Sequence, residues 1–207
     1  MTLVSSLSLI ILFYVIGSLP FALIFTKLFG LGDIRKVGSG NVGATNVLRT
    51  GNKFVAFIVL CFDIFKGFLP FLILQMYFQD ISLFNKILLC HFAILGHIYP
   101  VWLKFKGGKG VAGFIGYLLI ISWPLCILFL LVWLFSVKIF KYSALGAILS
   151  ILLNMVFFKA SLILQFKYNI FNFIPGEPIE LNLTIFISLI ILLRHKENIK
   201  SLISKKL

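Results

Sequence analysis

The sequence predicts an all-α integral membrane protein of seven transmembrane helices, with polar loops on its cytoplasmic face. Of its 207 residues, 61% are hydrophobic and only 12% are charged, whereas about 25% of the residues in a soluble domain are charged. Apolar runs long enough to cross a hydrocarbon core of about 30 Å recur along the whole chain. The basic residues, finally, are concentrated in a few polar stretches between these runs and after the last one.

The first apolar run, 3–29, is predicted to be a retained span rather than a signal peptide. It lacks a basic leader and a small-residue cleavage pattern, and it exceeds the apolar region of a signal peptide, which is about 7–15 residues long. Further spans are predicted at 52–78, 84–103, 142–162 and 180–194.

The stretch 109–140 is too long for one span. Ser122-Trp123-Pro124 offers a break, because proline removes a backbone donor and disfavours helix in the residue before it. Helices are therefore predicted at 109–121 and 124–140. The first is only about 20 Å long at 1.5 Å per residue, so it requires local bilayer thinning or cover by protein.

The basic residues set the predicted orientation, because short cytoplasmic loops are rich in lysine and arginine. With the N-terminus outside and seven crossings, the stretches 27–53, 104–109 and 138–141 and the C-terminal segment from Arg194 all face the cytoplasm. We expect one domain over 1–207, since no linker or soluble segment interrupts the pattern. The basic charge then belongs to a membrane face, and no nucleic-acid partner is predicted.

Several kinds of chemistry are excluded by the residues present. The three cysteines lie in apolar runs without paired spacing, so they are expected to be small apolar fillers. The chain has no Cys-x-x-Cys, no His-Glu-x-x-His, no Gly-x-Ser-x-Gly and no acidic cluster. We therefore expect neither a metal nor a cofactor. None of the three histidines has the aspartate five residues later that one class of glycerolipid acyltransferases uses.

The first polar stretch is GSGNVGATN, residues 38–46, followed by Arg49. Successive glycines let backbone amides approach an anion closely, and arginine binds phosphate through two parallel hydrogen bonds. The alternative is a flexible loop, but the donors and the arginine at a fixed offset favour an anion site. Its predicted members are Ser39, Gly40, Asn41, Gly43, Thr45, Asn46 and Arg49.

The second stretch is KFKGGKGVAG, residues 104–113. A lysine among glycines directly before a helix is typical of a phosphate site, because the free N–H groups and the positive dipole end face the ligand. It is not a nucleotide-binding P-loop, which places Ser or Thr after the lysine. The alternative, a basic membrane anchor, leaves the glycines unexplained. The predicted members are Gly107, Gly108, Lys109 and Gly110.

The third stretch is RHKENIK, residues 194–200. If the last helix continues, His195 and Asn198 share one face, and Arg194 reaches Glu197 or Asn198. Histidine can exchange a proton or bind phosphate. An ordinary basic helix end explains the segment equally well.

A fourth feature supports these loops. Asp63 and Lys66 lie within an apolar run at a spacing that allows them to pair, either as a structural tie to the first loop or in a functional role. His97, near the end of the third predicted helix, is expected to pack beneath the lysine loop.

The stretches GSGNVGATNVLR, DIFKG, GHIYPVWLKFKGGKGVAG and RHKENIK resemble, in order and spacing, the signature motifs of the bacterial acyl-phosphate:glycerol-3-phosphate acyltransferases. The resemblance covers essentially the whole chain and implies a seven-helix enzyme of the bacterial inner membrane, with its active site facing the cytoplasm. It implies transfer of a fatty acyl group from acyl phosphate to the 1-hydroxyl of glycerol 3-phosphate, without a cofactor.

The resemblance also implies residue roles. Ser39, Arg49, His195 and Asn198 match essential positions, Lys109 and its glycines match a phosphate-binding motif, and Glu197 is more structural. The chain departs from the family pattern at Gly113, where threonine is usual, at Ser201, where arginine is common, and at Ala144, where serine is usual.

Some alternatives stay open at this stage. The base that deprotonates the acceptor is either His195 or an oxygen of the donor's own phosphate. The rival functions are a carrier of organic phosphates, since paired anion sites at a membrane face also suit transport, and a structural membrane protein. Acyl chain preference and oligomeric state are not predicted.

Overall fold

The computed structural model describes the backbone of residues 3–204 and the side chains of 6–204, and within that range every regular element is helical. The chain divides into two compact units, one ending at Tyr117 and the other beginning at Leu118. The last two lysines of the C-terminal basic segment lie outside the described residues.

The first unit contains five helices and the start of a sixth. They are α1 (Leu3–Ser18), α2 (Phe21–Leu28), α3 (Ala44–Leu48), α4 (Lys53–Tyr77), α5 (Leu83–Ile98) and α6 (Val111–Ile121). Short 3-10 turns occur at Ile34–Lys36 and Val101–Leu103. The predicted first span is thus broken at Leu19-Pro20, since proline has no N–H with which to continue the helical ladder.

Glycines allow the helices of this unit to pack with their backbones in contact. A Cβ atom at Gly17 would overlap Ala93 of α5, and one at Gly96 would overlap the backbone of α1. α4 and α6 meet in the same way, with Gly67 against Gly113. Small residues bring membrane helices close enough for extensive van der Waals contact, so these glycines fix the frame on which the loops are held.

The second unit contains the end of α6 and four further helices: α7 (Trp123–Phe140), α8 (Ser143–Tyr168), α9 (Pro178–Arg194) and α10 (Lys196–Ser204). The predicted break before Pro124 is confirmed, because Ser122 is extended, with φ −161° and ψ 100°, and Pro124 lies in the first turn of α7. α7 and α8 pack together, and Gly146 lies against Trp133.

The protein is an all-α, multi-pass membrane protein. In the described part of the chain, five helical stretches are long and apolar enough to span a bilayer, and a sixth counts if α9 and α10, which meet at a 55° bend, form one broken span. α6 has only 11 residues, about 16 Å at 1.5 Å per residue. The count of seven crossings and the orientation therefore stay predictions.

Candidate active site

The loop of the first motif begins with a tight turn at Ile34–Lys36. Asp33 caps this turn by accepting a hydrogen bond from the backbone N–H of Arg35, and the two side chains form an ion pair of 2.7 Å. The hydrogen bonds from the Arg35 side chain, followed by the one from its backbone, lower the pKa of the Asp33 carboxyl from its usual 3.8 to about 2. The entry to the loop therefore keeps its shape and charge across the neutral range.

Asn46, on the short helix α3, organises the loop from inside. Its buried amide donates to the carbonyls of Ile34 at 3.0 Å and Val37 at 2.9 Å, and its oxygen accepts from the Ser39 N–H at 3.1 Å and the Ser39 hydroxyl at 3.3 Å. Both amide hydrogens are thus used within the loop. In this structure Asn46 shapes the site, and its predicted role as a phosphate donor is untested.

Three of the polar side chains near Asn46 lie at the surface of the loop. Ser39, Thr45 and Arg49 are exposed. Gly38 adopts the left-handed region at φ 55°, and a Cβ there would lie 2.6 Å from Nη1 of Arg49. The Arg49 guanidinium therefore lies beside the residue that precedes Ser39, on the same loop as that hydroxyl, and arginine is well suited to bind a phosphate group.

The loop of the second motif folds back on the end of α5. The N–H of Gly107 donates to the Ile98 carbonyl at 3.2 Å, and the N–H of Gly108 donates to the His97 carbonyl at 3.1 Å. A Cβ atom at Gly108 would overlap the imidazole of His97. The first glycines of the motif therefore permit close packing, and the half-buried Lys109 follows directly.

The same loop leads directly into α6. Gly110 has φ 86°, and its carbonyl accepts from the N–H of Phe114 at 2.9 Å, the first hydrogen bond of the helix. Lys109 is therefore separated from the first residue of α6 by Gly110 alone, and α6 begins two residues later than the predicted start at 109. This position favours a bound anion, since the free N–H groups and the positive end of the helix dipole lie beside it.

Asp63 and Lys66 form the expected ion pair, 2.8 Å apart, with both side chains only 3% exposed. Lys66 also donates to the carbonyl of Leu19 at 3.0 Å, at the break between α1 and α2. On the other side, Nδ1 of His97 lies 3.7 Å from the Asp63 carboxylate. The prediction that His97 packs beneath the lysine loop is confirmed by its contact with Gly108.

The two glycine-rich loops meet at a small cavity in the first unit. Its volume is about 10 Å³, roughly the room that one water molecule requires. Val42 of the first loop and Gly107 and Gly108 of the second line it, together with the three buried side chains Asp63, Lys66 and His97. The structure thus brings the first two predicted motifs and the supporting charges together around one point.

The third motif lies in the second unit and departs from the expectation of one continuous helix. α9 ends at Arg194, α10 begins at Lys196, and the two are inclined by 55°. The bend is centred on His195. Its ring nitrogen Nδ1 is hydrogen-bonded to the carbonyl oxygen of Ile191 at 2.8 Å, and its backbone N–H donates to the carbonyl oxygen of Leu192 at 2.9 Å. A side chain that competes for a backbone carbonyl in this way interrupts a helix.

The bend gives His195 a defined chemical state. Its side chain is buried, and since a carbonyl only accepts, the Nδ1 nitrogen carries the proton in the neutral ring and Nε2 holds the lone pair. Asn198 contacts the Tyr142 hydroxyl at 3.5 Å. Glu197 is exposed and pairs with Lys200 at 3.5 Å, and its expected structural role stays a prediction.

Two hydrogen bonds that hold the site together at the break between α1 and α2 were not predicted from the sequence. The Leu19 carbonyl holds Lys66, and the Trp102 ring N–H donates to the Ser18 hydroxyl at 2.7 Å, which ties the second loop to the same break. Pro20 inside the first apolar run was the available signal for the first of these. Nothing in the sequence indicated the second.

Comparison with known proteins points to one family. The sequence matches the family model described as glycerol-3-phosphate acyltransferase over residues 7–205. It is 46% identical over 153 residues to the glycerol-3-phosphate acyltransferase of Bartonella quintana, which covers 72% of each chain. It is 41% identical over 196 residues to that of Bartonella henselae, covering 93% of this chain and 86% of the relative.

Two crystal structures are similar to this fold. Both are of PlsY, described as an integral membrane glycerol 3-phosphate acyltransferase. The glycerol 3-phosphate form has a TM-score of 0.80 at 35% identity, and the lysophosphatidic acid form has a TM-score of 0.77 at 34% identity. Each comparison covers 97% of this chain and 93% of the other.

Proposed function

The chain belongs to the glycerol-3-phosphate acyltransferase family, and on that premise we propose that it transfers a fatty acyl group from acyl phosphate to the 1-hydroxyl of glycerol 3-phosphate. The products are lysophosphatidic acid and inorganic phosphate, which makes this the first step of phospholipid synthesis. We infer that the enzyme lies in the bacterial inner membrane with its active site facing the cytoplasm.

The observation that carries the proposal is the meeting of two phosphate-type loops at one cavity. Val42 belongs to the loop that presents Ser39 and Arg49, and Gly108 precedes Lys109. Both proposed substrates carry a phosphate group, and two anions repel each other unless cations lie between them. Arg49 and Lys109, with the backbone N–H groups of their loops, are suited to offset that repulsion.

The choice of acyl phosphate as donor rests on the resemblance of the four motifs to the acyl-phosphate-dependent family. A donor that brings its own good leaving group needs no covalent enzyme intermediate. The proposed step is attack of the acceptor hydroxyl oxygen on the acyl carbonyl carbon, after which the bond from that carbon to the phosphate oxygen breaks. The electron pair leaves with inorganic phosphate. Holding the reacting atoms about 3–3.5 Å apart lowers the barrier by removing the entropy cost of bringing two substrates together.

The hydroxyl proton has two possible acceptors. One is an oxygen of the donor phosphate, and the other is Nε2 of His195, which holds a lone pair in the neutral ring because Nδ1 donates to Ile191. We favour the donor phosphate, with His195 and Asn198 binding and orienting the substrate.

One assay tests the proposal against its rival, a carrier of organic phosphates. Purified protein in detergent is incubated with acyl phosphate and glycerol 3-phosphate, and the release of inorganic phosphate is followed. We expect release that depends on the acceptor, and lysophosphatidic acid in equal amount. A carrier does nothing measurable without two compartments. Absence of acceptor-dependent release from monodisperse protein would therefore refute acyl transfer from this donor.

A further inference from the structure

We propose that the buried network of Asp63, Lys66 and His97 is a positioning unit that holds both phosphate loops and so sets their affinity for phosphate. The inference rests on the proposed function, because it concerns the same site. Charged side chains inside a membrane helix are costly and are retained where they serve a purpose. A pair that only neutralised itself would need no third partner, whereas this pair has one on each side.

The first arm runs from Lys66 to the first loop. Its ammonium donates to the Leu19 carbonyl, which lies at the break where the helical ladder stops before Pro20. α2 follows at once, and its Ala22 is buried in one cluster with Ile34, Val42 and Val47, the apolar residues under the GSGN loop. Lys66 therefore fixes the start of α2, the helix that packs under the first loop.

The second arm runs from Asp63 to the second loop. The carboxylate faces Nδ1 of His97, which orients the imidazole against Gly108. The His97 carbonyl accepts from the Gly108 N–H at 3.1 Å. Gly108 is thus held by both the backbone and the ring of His97, and Lys109 is the next residue.

One ion pair consequently governs two loops. A displacement of about 1 Å at a reacting group can cost about 100-fold in rate, so a shift of Asp63 or Lys66 would reach Lys109 on one side and the Ser39 loop on the other. None of the three network residues needs to touch substrate for this to hold. They act through Gly108 and Leu19.

The contact between His97 and Gly108 allows a specific test. Gly108 does not lie in the left-handed region, so alanine is compatible with its backbone. The three heavy atoms nearest to the added methyl group would all belong to the His97 ring. We expect Gly108→Ala to raise the half-saturating concentration of glycerol 3-phosphate by about tenfold. Affinity is read from the thermal stabilisation of the protein by added ligand.

The double variant separates positioning from a direct clash with substrate. We expect His97→Ala alone to lower the affinity for glycerol 3-phosphate. Adding Gly108→Ala to that protein should change the affinity by less than about twofold, because the two substitutions act through one contact. A clash with substrate would persist without the imidazole. The inference would be overturned if the double variant lost affinity by the product of the two single losses. It would also be overturned if the Gly108→Ala protein kept wild-type affinity.

A second variant tests the ion pair itself. Asp63→Leu combined with Lys66→Met removes both charges together, which costs far less stability than leaving one charge alone. We expect monodisperse protein whose affinities for glycerol 3-phosphate and for inorganic phosphate both fall by about tenfold. Asp80→Asn, an exposed carboxylate in the same unit, is the matched control. Affinities within about twofold of wild type would contradict the inference, and if the variant does not fold, the Gly108 and His97 comparison decides.

The two proposals fail in different ways. Wild-type protein that binds glycerol 3-phosphate but releases no phosphate refutes acyl transfer and leaves the affinity comparison valid. Wild-type turnover combined with unaltered phosphate affinity in the variants refutes the positioning unit alone.

Discussion

At the scale of single residues, two lysines of one loop differ in a way that tests the site. Lys106 is exposed, whereas Lys109 is half-buried between Gly108 and Gly110, two residues before the start of α6. We expect Lys109→Gln to lower kcat/KM by about 10- to 150-fold, since a hydrogen bond between charged groups contributes about 1.5–3 kcal/mol. Lys106→Gln should change it by less than about threefold. Equal effects in steady-state kinetics would remove Lys109 from the phosphate site.

His195 is the second residue whose role kinetics can assign. If it binds substrate, His195→Gln should raise KM for glycerol 3-phosphate by about tenfold and leave kcat nearly unchanged. Lys196→Gln, an exposed neighbour, is the control. A fall in kcat of about 100-fold or more at unchanged KM would instead assign the proton transfer to His195, since general-base catalysis contributes about that much.

Asn41 and Asn46 illustrate how far residue-scale reasoning from sequence reaches. In the sequence they are two similar amides in one glycine-rich stretch, and both were expected to face an anion. The structure commits both amide hydrogens of Asn46 to the carbonyls of Ile34 and Val37. That commitment depends on the path of the chain through a preceding turn, which no local pattern specifies. The sequence therefore indicated which loop carries the amides, but it did not indicate that the Asn46 side chain is held inside that loop.

At the scale of elements, the contact between α4 and α6 gives a matched pair of glycines. A Cβ at Gly67 would overlap the backbone of Gly113, whereas a Cβ at Gly113 meets only Ile94 at 3.6 Å and the Asp63 carbonyl at 3.9 Å. We expect Gly67→Ala to lower the free energy of unfolding by about 1–3 kcal/mol, the usual cost of overpacking. Gly113→Ala should be nearly neutral, in keeping with the threonine that relatives were expected to carry there.

Thermal unfolding of the two variants in the same detergent provides the measurement. Because Gly67 follows Lys66 directly, Gly67→Ala should also weaken glycerol 3-phosphate binding, while Gly113→Ala should leave it intact. A more destabilising Gly113→Ala would mean that the helices are separated more widely at Gly67 than the structure places them.

The breaks between elements were predictable where a local signal exists. Pro124 marked the division of α6 from α7, because the length of the apolar run demanded a break there. Pro20 is the same kind of signal, but it lies in an apolar run whose length suits a single span. Composition alone therefore gave no reason to predict a break there. The bend at His195 has no composition signal, since it arises from a hydrogen bond between the imidazole and the Ile191 carbonyl.

At the scale of the whole molecule, the hydrophobic pattern predicted the class because a bilayer allows few solutions for an apolar chain. The number of crossings is less constrained. α6 has 11 residues, and whether it crosses decides the side of every later loop. The positive-inside rule places Lys138 and Lys141 in the cytoplasm only if α6 and α7 both cross.

A cysteine-labelling experiment tests that consequence. In protein whose Cys61, Cys90 and Cys126 are replaced by alanine, Lys141→Cys should resist a membrane-impermeant maleimide added to intact cells and react after the membrane is opened. Asn172→Cys, in the loop between α8 and α9, should react from outside, because one long helix separates the two positions. Labelling of position 141 from outside and of position 172 only after opening would mean that α6 is a re-entrant segment. The segment carrying His195 would then emerge on the side opposite to Lys109, and a single cytoplasmic active site could not include both.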